Sequence, residues 1–247
     1  MVLEGDRSEP SPRLSAHGRA AGTGTEIRQK SHQAVQEGLR IRSCGSVEEE
    51  AWIYSGYPGL RSTDPKAIEW YLKAAEQGDR DAQRDVGYKY EFGLGVDQSY
   101  EEAFKWYLRA AEQDGEDAQI RLGRLYEFGL GVEQSYEKAA EWYRMAAESG
   151  SAAAQYNMGN MYSLGRGVEK SHEEAFKWYL KAAEQGDGDA QNNLGYMYER
   201  GMAVEQSYEK AAEWYQKGVY NDNAFAMFYL GRLYETGRGV PRSARKA

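Results

Sequence analysis

The chain has 247 residues with 31 basic and 39 acidic side chains, a formal charge of −8, and 28 Gly and 20 Tyr beside 6 Trp and only 5 Pro. One cysteine, Cys44, excludes an intramolecular disulfide and any multi-thiolate zinc site, and the acidic balance argues against a nucleic-acid duplex as main ligand. No apolar run approaches a membrane span and the start, MVLEGDRSEP, lacks an apolar stretch. The sequence therefore predicts no signal peptide, no membrane insertion and a cytoplasmic protein.

Residues 1–46 carry Gly, Ser, Pro and Arg without sustained periodicity and without a Trp, Tyr or Phe. Such a segment cannot bury enough apolar surface to offset its ordering entropy, so it reads as a disordered polar tail, with at most a short helix near 26–41. From residue 47 the chain repeats. Trp70, Trp106, Trp142, Trp178 and Trp214 are each 36 residues apart, and so are Gly87, Gly123, Gly159, Gly195 and Gly231. Tyr90, Tyr126, Tyr162, Tyr198 and Tyr234 keep the same period. Residues 47–80 form a degenerate first unit, in which Ala51 replaces the packing glycine and Asp64-Pro65 suits a helix start.

Residues 81–116 serve as the type unit. A first helix over about 81–92 puts Ala82, Val86, Gly87 and Tyr90 on one face. A glycine inside a helix costs about 1 kcal/mol relative to Ala, so its recurrence implies close backbone approach between helices. The loop Gly93-Leu94-Gly95-Val96 recurs as GLGV at 129–132 and GRGV at 165–168 and 237–240, glycine after a helix supplying the left-handed residue. A second helix buries Ala103, Trp106, Tyr107, Ala110 and Ala111, with Ser99 as N-cap and Glu102 as its capping-box partner. Ser171 and Glu174 repeat that pair, whereas Ser135 and Ser207 precede Lys138 and Lys210. The Trp and Tyr ladders are expected in the core.

One hairpin cannot bury both faces. The expected fold is all-α, an α-solenoid of stacked 36-residue helical hairpins, with four full repeats over 81–224 and a partial fifth over 225–247. Ala247 falls early in the second helix of its unit, which suggests a fragment of a longer array.

The pattern LGxxY, GxGV and AxxWYxxAAExG on this period resembles the Sel-one-like repeats, relatives of the tetratricopeptide repeat, over roughly 47–247. The resemblance implies adaptors and scaffolds of multi-protein assemblies, among them degradation complexes, activators of cell-wall synthases and bacterial factors engaging host cells. A cysteine-rich branch is linked to penicillin binding through repeats stapled by cysteine pairs, which this sequence lacks.

Chemistry is not expected. GLGVDQ at 93–98 lacks the third glycine of a dinucleotide loop and lies between helices; there is no P-loop lysine and no HExxH. His172, in the place of Tyr100, Tyr136 and Tyr208, reads as a surface residue, and Cys44 has no activating partner. No cofactor or metal is implied.

In tetratricopeptide-like arrays the first helices line the concave surface. Three residues before the packing glycine stand Arg84, Ile120, Tyr156, Asn192 and Phe228; directly after it stand Tyr88, Arg124, Asn160, Tyr196 and Arg232. These vary while core positions repeat, through drift at exposed sites or through contact with a partner, and Tyr, Phe and Arg favour the latter. Glu91, Glu127, Glu199 and Glu235 edge the surface and favour a protein or peptide partner with basic residues. The expectation is a non-catalytic scaffold binding such a partner in the concave groove. The alternatives are a regulatory region of a larger enzyme or, less favoured, a hydrolase like that claimed for the cysteine-rich relatives.

Overall fold

A computed structural model describes residues 63–240. The tail and most of the degenerate first unit, including Cys44, lie outside the described residues, as do residues 241–247. Ten helices follow in order: α1 Pro65–Glu76, α2 Arg80–Phe92, α3 Tyr100–Ala111, α4 Glu116–Phe128, α5 Tyr136–Glu148, α6 Ala152–Leu164, α7 His172–Glu184, α8 Gly188–Arg200, α9 Tyr208–Tyr220 and α10 Ala224–Thr236. Each of α2, α4, α6 and α8 packs closely on the helix after it, as a hairpin, and on the helix before it, in the preceding unit, and α10 packs on α9. The fold is a stacked α-solenoid.

Helix starts follow the sequence. Asp64 caps α1 with Pro65 at its first turn, and Ser99, Ser135, Ser171 and Ser207 each accept the N–H three residues on. The capping box does not form. The Ser99 N–H that Glu102 would serve instead donates to the Tyr90 carbonyl at 3.0 Å, closing the glycine loop, and Glu102 turns to Lys105 at 2.6 Å. Ser171 N–H and Glu174 repeat this arrangement with Tyr162 and Lys177.

The same loop satisfies the open end of the first helix. Gly93, left-handed at φ 65°, and Leu94 donate to the Lys89 carbonyl, Ser99 to that of Tyr90, and the Gln98 amide to that of Glu91 at 2.8 Å. The second loop glycine has another task. A Cβ on Gly131, Gly167 or Gly239 would strike the backbone of Tyr100, Tyr136 or Tyr208, at the start of the second helix one unit earlier. Ala203 holds this place in the next-to-last loop at φ 62°, opposite the unit in which His172 replaces the tyrosine. His172 is half-buried, not on the surface as expected, and its Nδ1 is enclosed without a partner among the described residues.

The packing glycines admit a ring rather than a backbone. A Cβ on Gly87 would lie 2.7 Å from the Tyr107 ring and one on Gly123 2.5 Å from that of Tyr143; Gly159 and Gly195 meet Tyr179 and Tyr215 in the same way. Tyr107, Tyr143 and Tyr215 are among the largest fully buried side chains, and Tyr179 is 4 % exposed. The tryptophans divide from them. Trp106 is buried, but Trp142, Trp178 and Trp214 are half-buried and pack onto the cluster of the preceding unit. Their outer faces are covered by cations one turn on: Arg109 over Trp106, Lys181 over Trp178 and Lys217 over Trp214, at 4.4, 4.2 and 3.8 Å. Tyrosine fills the hairpin; tryptophan joins it to its neighbour.

An amide ladder adds a second joint. Gln83, Gln155 and Gln191 donate to the carbonyls of Ala75, Ala147 and Ala183 in the preceding helix, and accept from Gln113, Gln185 and Asn221 at 2.8 Å. In the remaining unit Ser149 is too short and bonds its own helix at the Met145 carbonyl, leaving Gln119 Oε1 buried and unpaired. Ser149→Gln is expected to supply the missing donor and raise stability by about 1–2 kcal/mol, read as a shift in urea midpoint at unchanged slope.

Candidate partner-binding face

Positions 81, 84, 88 and 92 of α2, and their equivalents one period on, lie along one helical stripe. The ten variable residues are on this stripe, but most occupy the seam between consecutive first helices. Arg84 bonds Asp85 at 2.7 Å and Asp117 of α4 at 3.3 Å. Tyr88 lies against Phe92 with centroids 4.5 Å apart and under the Arg121 guanidinium. Ile120 packs on the α5–α6 cluster and Tyr156 on the α7–α8 cluster. Asn160 accepts the Tyr179 hydroxyl at 2.7 Å, and Tyr196 lies between Arg200 and the Tyr229 ring. Arg232 pairs with Glu199 and covers Tyr229. Asn192 is half-buried; Arg124 and Phe228 are exposed, Phe228 at 65 %.

The acidic edge differs from expectation. Glu91 is buried, accepts the Tyr107 hydroxyl at 2.6 Å and pairs with Arg121 at 3.2 Å. Glu127 receives Tyr143 and Arg166, and Glu199 receives Tyr215 and Arg232. These three carboxylates are engaged inside the array, so the argument for a basic partner loses its support. Burial first, then the adjacent carboxylate, pushes the Tyr107, Tyr143 and Tyr215 hydroxyls well above the usual tyrosine range, which keeps them donors. In the third unit Ser163 replaces the glutamate, and Asn160 takes the hydroxyl instead. At the N-terminal end burial raises Asp85 to about 6 against the pull of Arg84, and lowers Lys89 to about 8.

One row escaped the sequence reading. Phe92, Phe128 and Leu164, the last residues of α2, α4 and α6, are 47, 56 and 57 % exposed. Their signal was an apolar residue at the register position four beyond the variable one, on the same stripe but directly before a glycine. Among the described residues no helix is long and apolar enough to cross a membrane, and no three His, Cys, Asp or Glu side chains could hold a metal ion.

The Sel1 repeat profile matches residues 54–79, 80–115, 116–151, 152–187, 188–223 and 224–247. The structure is similar to that of a protective antigen with an SLR fold present in uropathogenic Escherichia coli strains, at 33 % identity and a TM-score of 0.74, covering 89 % of this chain and 45 % of that one. It thus spans less than half the length of that antigen. A Sel1 repeat protein from Oxalobacter formigenes matches at 36 % identity and TM-score 0.67, over 72 % of this chain and 73 % of the other. An immunity protein from Pseudomonas aeruginosa, 18 % identical at TM-score 0.52 over 86 % of this chain and 76 % of that one, shares the fold. Comparison with curated protein sequences gives no match. Repeats of this kind commonly serve as protein-interaction scaffolds. With its matched repeats running from residue 54 to 247, the chain belongs to the Sel1 repeat family.

Proposed function

We propose that the protein is a non-catalytic scaffold that binds a protein or peptide along the outward stripe of its first helices, the concave groove of the array. One observation carries this reading. Seven of the ten exposed large apolar side chains among the described residues are on first helices, and Phe92, Phe128, Leu164, Phe225 and Phe228 share the stripe. Scattered exposed apolar residues are normal on any protein; a row at one register position of three consecutive repeats, Phe92, Phe128 and Leu164, is what supports an interaction surface. The second helices offer paired charge instead, such as Lys105–Glu102 and Lys177–Glu174. Capture of partners by the full chain, carrying a photo-crosslinker at residue 164, tests the assignment. Phe128→Ala with Phe228→Ala should weaken capture by about tenfold or more, as loss of interface anchors does. Lys105→Ala with Lys177→Ala should leave it unchanged, and the reverse pattern would move the surface to the second helices.

A further inference from the structure

The charge of the array is concentrated on one edge. The described residues hold 20 basic and 31 acidic side chains, a balance of −11. The five turns from a second helix into the next first helix, at 76–81, 112–117, 148–153, 184–189 and 220–225, hold 12 acidic residues against Arg80 alone, the same −11. Outside these turns the two signs balance. Successive turns touch, so they form one edge: Gln185 donates to the Gly150 carbonyl at 2.9 Å and Asn223 to Asp189 at 2.6 Å. Asp81, Asp117 and Asp189 lie in first helical turns, where the helix dipole favours them. Glu76, Glu112, Glu148 and Glu184 have no such reason. Each is exposed at the C-terminal end of a second helix, where the dipole disfavours a carboxylate, and none forms an ion pair among the described residues.

The same edge holds an unmet acceptor. Gln119, 2 % exposed, stands in register with Gln83, Gln155 and Gln191, whose oxygens accept from Gln113, Gln185 and Asn221 in the turn one unit on. Those three donors are themselves exposed, so the place is reached from outside. Ser149 stands there in the remaining unit and bonds back to Met145, which leaves Gln119 Oε1 enclosed with no partner, next to the turn that begins with Glu148. We propose that the turn edge docks a basic polypeptide segment, one of whose side-chain cations enters over Ser149 and donates to Gln119 Oε1. A lysine or arginine offers donors only, which matches an orphan acceptor beside a carboxylate. The glutamate row runs over four successive turns, more than one small cation covers, and supplies attraction while the buried oxygen fixes register. The basic partner that Glu91, Glu127 and Glu199 do not support finds its counter-charge here, on a surface separate from the outward stripe.

The test titrates the full chain into a fluorescent dodecapeptide of alternating Lys and Ser, with the alternating Glu and Ser peptide as control. Binding of the lysine peptide should weaken about tenfold or more between about 0.05 and 0.5 M salt. Glu112→Gln, Glu148→Gln and Glu184→Gln together should weaken it about tenfold. Glu101→Gln, Glu137→Gln and Glu173→Gln remove the same charge from the opposite edge and should change it by less than about twofold. Ser149→Gln should weaken it about fivefold while raising the urea midpoint, a combination that loss of structure cannot produce. Equal losses from the two triple variants would leave only diffuse attraction to net charge and overturn the inference. Indifference to Ser149→Gln, or equal binding of the two peptides, overturns it as well. Phe128→Ala with Phe228→Ala should leave this binding intact, so the edge and the outward stripe stand or fall separately; a loss there would move the peptide to the stripe.

Discussion

Arg121→Met is expected to lower the stability of the array by about 3–5 kcal/mol. Arg121 and Glu91 are nearly enclosed, with side chains 9 and 7 % exposed, and join α4 to α2 at 3.2 Å. Removing the guanidinium strands a buried carboxylate whose remaining partner is the Tyr107 hydroxyl. Methionine keeps much of the volume, so the loss reports charge rather than a cavity. Adding Glu91→Gln to Arg121→Met should recover a substantial part, since a neutral amide still accepts from Tyr107 without needing a counter-ion. Equilibrium unfolding of the two single variants and the double variant gives the coupling, and strictly additive losses would mean that the pair contributes nothing as a pair. Repeat arrays unfold in sections, so hydrogen exchange at the α2 and α4 amides should accompany the global measurement.

Gly123→Ala should reverse the usual sign of its substitution. Within an ordinary helix the change gains about 1 kcal/mol. Here the new methyl group would stand 2.5 Å from the Tyr143 ring, which is 1 % exposed and tethered through its hydroxyl to Glu127 at 2.9 Å. A ring fixed at both ends cannot give way, and overpacking of about 1–3 kcal/mol results. Tyr143→Leu supplies the internal control: with the ring removed, Gly123→Ala should gain up to about 1 kcal/mol. Equal effects of Gly123→Ala with and without the ring would show that the ring does not select the glycine.

The hairpins, their loop and their caps were legible because each depends on residues close in sequence and recurs in register. Ser99, Gly93 and the Ala103–Trp106–Tyr107 face needed only helical periodicity. The capping box was misread because the competing acceptor, the Tyr90 carbonyl, enters only once the loop has closed. The glutamate row looked like a charged rim for the same kind of reason. Glu91 sits where an exposed helix residue would, and only the second helix, bringing Tyr107 back over it, turns the carboxylate inward. The variable positions were correctly placed on the first helices, but much of their variation is pairwise matching across the seam, as between Arg84 and Asp117 or Arg232 and Glu199. The clue was available. In the unit where Ser163 replaces the glutamate, Asn160 stands at the variable position and takes the hydroxyl.

Substitutions that look minor one by one coincide at a single place. Between the α6–α7 and α8–α9 hairpins the loop glycine is Ala203, held left-handed; the tyrosine beneath is His172; and the glutamate that elsewhere anchors a cross-unit arginine is Ser163. Helix α6, without charge, can form no ion pair to α8. Among the joints between described hairpins this one has no cross-unit ion pair, and it is expected to be the most compliant. Under tension the array should part there first, and in solution it should bend there most, like a spring with one softened coil.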